Sequence, residues 1–196
     1  MHTLPRIFCL VSSGDDLALL PALAAAGVDG FQVRDKRAST RDLLALTCAV
    51  RDAVGPAVVT VDDRLDVALA AGADGVHLGA EDLPVRDARR LAPHLLLGAT
   101  CRTAAEVRGA RDDGADYAGF GPVFATGSKA GLPDPLGVAA VGAAAGVLPL
   151  VAIGGIDAAG AARVRDAGAH GIALIGAIWR QPDPVAAAKE LVAAVS

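Results

Sequence analysis

The chain has little that would serve a membrane, a nucleic acid or an oxidising environment. Although 53% of its residues are apolar, no uninterrupted apolar run approaches the roughly eighteen residues that mark a transmembrane helix. Phe, Trp and Tyr make up only 3% and the formal net charge is −4, which argues against a stacking or phosphate-tracking nucleic-acid surface. Three cysteines, Cys9, Cys48 and Cys101, show neither disulfide-framework nor metal-knuckle spacing and point to a reducing, cytoplasmic setting. No basic, apolar leader pattern opens the chain, because Pro5 and Arg6 lead straight into a strand candidate. The expected partners are small molecules, with no nucleic acid and no membrane. A homo-oligomer is compatible with the sequence.

What is present is a phrase used four times: Ala26-Gly27-Val28-Asp29-Gly30, Ala71-Gly72-Ala73-Asp74-Gly75, Asp113-Gly114-Ala115-Asp116 and Ala167-Gly168-Ala169-His170-Gly171. Each copy ends an Ala/Leu/Arg-rich stretch and runs into strand-forming residues. Glycine after a last helical turn is the expected left-handed cap, since it has no Cβ to penalise positive φ. The phrase therefore marks the even-numbered strands of a repeated βα architecture. Strand candidates fall at Ile7–Val11, Gly30–Arg34, Ala57–Val61, Gly75–Leu78, Leu95–Ala99, Tyr117–Phe120, Leu150–Ile153 and Gly171–Ile175. Helical stretches fall near Asp16–Ala26, Thr40–Val54, Arg64–Ala71, Val85–Leu91, Ala104–Asp113, Gly137–Ala145, Ala158–Ala167 and Pro184–Val195. Ser39 or Thr40, Thr103 with Glu106, and Asp157 are the expected N-caps. Strict alternation requires a parallel sheet, and eight units favour closure into a (β/α)8 TIM barrel. The expectation is one compact barrel domain over residues 1–196, with one long loop from Gly121 to Leu136.

In such a barrel the chemistry sits where strands end and helices begin. Gln32, Arg34 and Lys36 share one face of strand two, because side chains alternate along a strand. Inward cations are costly without an anion. They form either an anion clamp or a structural ion pair with a neighbouring strand's carboxylate. Asp62 and Asp63 end strand three, and Asp82 follows strand four. Each alone fits a capping role, but together they suit a hard divalent cation completed by substrate phosphate. His77 has inward parity and fits a hydrogen-bonded core histidine better than a catalytic one. Thr100 follows strand five as a hydroxyl donor. Thr126, Gly127, Ser128 and Lys129 make the long loop a candidate lid carrying a cation over a bound anion. Gly155 after strand seven, with Ile175 and Gly176 at the end of strand eight, lets backbone N–H groups approach a phosphate. Two anion sites on opposite sides of one mouth, with a divalent ion, suggest joining or cleaving phosphorylated molecules.

In order along the chain, Gln32-Val33-Arg34-Asp35-Lys36, Val61-Asp62-Asp63-Arg64, His77-Leu78-Gly79-Ala80-Glu81-Asp82, Gly119-Phe120-Gly121-Pro122-Val123-Phe124 and Ala152-Ile153-Gly154-Gly155-Ile156 resemble the thiamine-phosphate synthase family. That resemblance spans about Phe31 to Pro184. It implies Mg²⁺-dependent coupling of an aminopyrimidine-methyl diphosphate to a thiazole phosphate, with loss of diphosphate by a dissociative step. It also implies roles. Gln32, Arg34 and Lys36 would hold the pyrimidine diphosphate with Asp62 beside them, Thr100 would stand near the substrate in the place of a family serine, and Lys129 would close on the leaving diphosphate, so that preplaced cations take up the departing charge. Asp63 and Asp82 would bind Mg²⁺. Thr126, Gly127, Ser128, Gly155, Ile175 and Gly176 would contact the thiazole phosphate. The chain departs from the pattern at Asp62, where the family usually has asparagine, and at Ser12-Ser13-Gly14-Asp15, where Thr-Asp is common. The alternative reading is a related thiazole tautomerase, which shares the fold and aromatises the thiazole ring, although those enzymes tend to lack the metal aspartates and carry a histidine in place of Pro122. Two other readings are a barrel that binds a thiamine precursor without catalysis, and a phosphosugar epimerase with His77 as its base.

Overall fold

The four repeated glycines set the frame of the molecule. In the computed structural model, which describes residues 3–127 and 134–195, Gly27, Gly72, Gly114 and Gly168 have φ of 106°, 63°, 94° and 100°. The chain turns at each of them from helix to strand without a Cβ clash. The acid of the phrase then braces the start of the preceding strand. Asp29 accepts from the Arg6 and Ile7 amides at 2.9 and 2.8 Å, Asp74 from Val59 at 2.7 Å and Asp116 from Leu97 at 2.7 Å. In the fourth copy the residue is His170, whose Nε2 lies 3.0 Å from Leu4 O. These braces lie at the N-terminal end of the strands, away from the expected site.

The elements run β1 (Ile7–Val11), a 3₁₀ turn (Leu17–Leu19), α1 (Leu20–Ala25), β2 (Gly30–Val33), α2 (Thr40–Val54), β3 (Val58–Asp62) and α3 (Leu65–Ala71). They continue as β4 (Gly75–Leu78), α4 (Val85–Leu91), β5 (Leu96–Cys101), α5 (Ala104–Asp112), β6 (Tyr117–Phe120) and α6 (Val138–Ala144). The last are β7 (Leu150–Ile153), α7 (Ala158–Asp166), β8 (Gly171–Leu174), α8 (Gly176–Trp179) and α9 (Pro184–Val195). The strands pair in parallel in sequence order, and β8 returns to β1 through Phe8↔Ala173, so the sheet is a closed barrel. The fold is the expected (β/α)8 barrel.

The expected caps are present at three helices. Ser39 accepts from the Asp42 amide, Thr103 and Glu106 form a reciprocal capping box, and Asp157 accepts from Gly160. The stretch expected as a helix over Asp16–Ala26 instead begins as a 3₁₀ turn capped by Asp16, with Pro21 at the start of α1. β5 reaches further than expected because Thr100 and Cys101 still pair with Gly119 and Phe120. The side chain of Thr100 therefore stands on a strand rather than on a loop. α8 was not expected, since four residues are too few to show helical periodicity.

Strand alternation divides the residues into two layers. Phe31, Val33, Val59, Val61, Val76 and Leu97 join the large core between barrel and helices. Phe8, Leu10, Tyr117, Val151 and Ala173 form a smaller cluster inside the barrel, with the Phe8 and Tyr117 rings stacked at 5.6 Å. Glycine makes that interior possible. A Cβ on Gly98 would stand 2.2 Å from Tyr117 Cζ and 2.5 Å from His77 Nδ1.

Candidate active site

β2, β3 and β4 end in polar side chains at the C-terminal mouth, above the apolar interior cluster. Gln32 and Asp62 are both buried, and the Gln32 amide donates to Asp62 Oδ1 at 2.5 Å. Arg34 Nε lies 2.8 Å from Asp62 Oδ2, and Lys36 Nζ lies 3.0 Å from Asp63 Oδ2. Both cations are thus paired with carboxylates at the end of the neighbouring strand, as the ion-pair reading expects, and both line one cavity. Burial, followed by the charge of Asp63, pushes the Asp62 carboxyl up to about 7 against the pull of Arg34, Gln32 and Lys36.

Asp63 does not cap α3, whose N-cap is Arg64 without a side-chain bond. It holds a positive φ of 65°, its amide donates to His77 O at 2.8 Å, and its carboxyl meets that of Asp82. Partial burial raises the Asp63 carboxyl, but hydrogen bonds with Lys36 and Asp82 outweigh this and hold it below the ordinary range. Asp82 moves up through burial and through its bond and charge contact with Asp63, against a hydrogen bond from the Gly79 amide, which donates at 2.7 Å. Two carboxyls in contact at one cavity wall are a donor set that a divalent cation fits. Among the described residues no group of three or more Asp, Glu, His or Cys converges on one point. The remaining oxygens around a cation at Asp63 and Asp82 would come from substrate and water, as is usual for Mg²⁺.

His77 and Thr100 form part of the floor. His77 Nδ1 lies 3.2 Å from Tyr117 Oη and Nε2 lies 3.0 Å from Thr100 Oγ1. Burial lowers the imidazole to about 4 against the charge of Asp63, so it is neutral at pH 7. Burial likewise drives the Tyr117 phenol upward. The core-histidine reading therefore describes its bonding, although its edge also reaches the cavity.

On the opposite side of the mouth, Thr126, Gly127, Gly155, Ile175 and Gly176 line the same cavity, which holds about 820 Å³. Gly155 has φ of 64°, and a Cβ there would lie 2.3 Å from Ala125 O. No described backbone carbonyl accepts from the amides of Gly155 or Ile156. Ser128 and Lys129 lie outside the described residues. Sequence reasoning missed Arg180 and Gln181, which line the cavity just after α8. The only signal for them was a cation and an amide directly following the glycine turn of β8.

The family model described as thiamine monophosphate synthase matches residues 7–178. A thiamine-phosphate synthase from Methanoculleus marisnigri is 51% identical over 181 residues, which cover 90% of this chain and 85% of that protein. The bifunctional protein ThiM/ThiE of Symbiobacterium thermophilum is 48% identical over 94% of this chain, which spans 40% of that longer protein. Among solved structures, the thiamine phosphate pyrophosphorylase from Pyrococcus furiosus superposes with a TM-score of 0.88 at 33% identity, covering 97% of this chain and 95% of that one. The paired cations and carboxylates of β2–β4 and the glycine turns of β7–β8 thus occur in a chain that belongs to the thiamine monophosphate synthase family.

Proposed function

We propose that the cavity couples 4-amino-2-methyl-5-pyrimidinylmethyl diphosphate to a thiazole phosphate, giving thiamine phosphate and diphosphate. The observation that carries this reading is the shared cavity: Arg34, Lys36, Asp63 and Asp82 line it from one side, and Gly155 and Gly176 from the other. Two phosphorylated partners can then lie side by side, which removes the entropic cost of their encounter.

In the proposed mechanism, Gln32, Arg34 and Lys36 receive the diphosphate, with Lys129 contributing from the loop. Each cation already has a carboxylate partner, so positive charge is held in place before the substrate arrives and reorganises little as the C–O bond breaks. Asp63 and Asp82 would hold Mg²⁺, which when bound neutralises negative charge building on the leaving diphosphate. The pyrimidine ring stabilises the carbocation-like centre, and the thiazole nitrogen captures it with its own lone pair. No proton has to leave the nucleophile, so the step needs no general base. That matches a neutral His77 bonded at both ring nitrogens. Thr100 offers its hydroxyl to the pyrimidine side, while Thr126, Gly127, Ser128, Gly155, Ile175 and Gly176 seat the thiazole phosphate.

Asp62 fits this scheme because Arg34 and Gln32 absorb its charge. A binding-only barrel is therefore not needed to explain it. Asp63, Asp82 and Pro122 disfavour the tautomerase reading, and the paired Gln32–Arg34–Lys36 clamp would be idle in a phosphosugar epimerase. The described residues form one closed barrel. Its three cysteines are unpaired, and among the described residues no helix is long and apolar enough to cross a membrane. Incubation with both precursors and Mg²⁺ should release diphosphate and thiamine phosphate in equal amounts. Saturable binding of both precursors without diphosphate release would refute catalysis.

A further inference from the structure

The segment after β8 carries a cation that the two-anion arrangement leaves unassigned. The Trp179 indole donates to Leu10 O at 2.7 Å, which ties the end of α8 to β1. The Gln181 side-chain amide donates to Gly176 O at 3.3 Å, and the Arg180 backbone amide reaches the same carbonyl at 3.2 Å. Arg180 is therefore pinned through its backbone between two side-chain tethers, and it is one of the residues that line the cavity.

Charge distribution gives that position meaning. Among the described residues, the cavity is lined by the cations Arg34, Lys36 and Arg180 and the acids Asp62, Asp63, Glu81, Asp82 and Asp157. Arg34 and Lys36 are matched to Asp62 and Asp63. No ion pair is formed by Arg180 among the described residues. A phosphate dianion at the Gly155 and Gly176 turns thus finds uncharged backbone donors and, from the described rim, one unmatched guanidinium. The planar fork of arginine suits phosphate oxygens and carries a full charge at any working pH.

We propose that Arg180 is a specificity-determining residue that selects the phosphorylated form of the thiazole substrate. This rests on the synthase reading of the cavity. Trp179 is the chain's one tryptophan and adjoins Arg180, so its fluorescence reports binding without turnover. Titrating 4-methyl-5-(2-hydroxyethyl)thiazole phosphate into Arg180→Ala should give a Kd raised about tenfold, the equivalent of one charge-assisted contact. The Kd of the unphosphorylated thiazole alcohol and the KM for the pyrimidine diphosphate should stay within about twofold, a change too small to represent a lost contact. Arg180→Lys should recover part of the phosphate affinity and keep its salt sensitivity. An Arg180→Ala protein with unchanged affinity for thiazole phosphate, or with equal losses for the phosphate and the alcohol, overturns the assignment. A wild-type protein that makes no thiamine phosphate refutes the synthase reading instead, while the binding comparison decides Arg180 by itself.

Discussion

Replacing Asp62 by Asn should change how stability responds to pH, because two buried groups oppose each other in the wild type. Asp62 is raised from 3.8 to about 7. Its carboxyl is neutral in both folded and unfolded chains below pH 3.8. As pH rises the unfolded chain ionises first, so the folded state loses stability until Asp62 itself ionises near pH 7. At about 1.4 kcal/mol per pH unit, that loss has a ceiling of roughly 4 kcal/mol. His77 works in the other direction, being lowered from 6.5 to about 4. Its contribution is present above pH 6.5 and is lost as pH falls toward 4, with a ceiling of roughly 3 kcal/mol. Wild-type stability should therefore vary little between pH 4.5 and 6.5 on account of these two groups. Asp62→Asn removes the first effect and retains acceptor and donor atoms for Arg34 and Gln32. Urea denaturation of both proteins in EDTA, from pH 4.5 to 7.5, measures the difference. The variant should gain on the wild type as pH rises, by roughly 2 to 4 kcal/mol across the range. Turnover should be equal or higher, since Arg34 then faces the diphosphate without a competing charge. Parallel stability curves, or a gap that narrows with pH, would refute the reasoning, and a large loss of turnover would show that the carboxylate is required.

Asp82→Ala should abolish Mg²⁺-dependent diphosphate release while preserving the fold, because Asp82 is half of the proposed cation pair; an unchanged rate would remove it from that role. Gly155→Ala places a Cβ 2.3 Å from Ala125 O at a φ of 64°. It should cost about 1 to 3 kcal/mol of stability, measurable by denaturant titration, and should raise the KM for thiazole phosphate more than that for the pyrimidine diphosphate. Asp29→Ala leaves the Arg6 and Ile7 amides without their acceptor. It should destabilise by about 1 to 3 kcal/mol with both KM values unchanged, because the brace sits at the end of the barrel remote from the cavity.

The frame was legible because it depends on local rules. Positive φ at Gly27, Gly72, Gly114 and Gly168 needs only the absence of a Cβ, and strand parity alone turns Gln32 away from the packed Phe31 and Val33. The pairings were not legible, because they depend on register. Gln32 stands level with Thr60 and Val33 with Val61, which carries Arg34 one step further to Asp62. Nothing within either segment states that alignment. The acid of the repeated phrase was likewise visible as a pattern, but its partners lie on the preceding strand. Tyr117 and His77 fill the interior only because Gly98 and Gly119 on neighbouring strands leave room for them. α8 escaped notice for lack of length, and Arg180 went with it.

The central claim is that both phosphorylated partners occupy one cavity at the same time. A crystal structure with Mg²⁺, thiazole phosphate and an unreactive analogue of the pyrimidine diphosphate tests it most directly. The account predicts diphosphate against Arg34 and Lys36 with the cation at Asp63 and Asp82, and the second phosphate against Gly155 and Gly176. Density for the two ligands at mutually exclusive positions, or for either one outside this cavity, would contradict it.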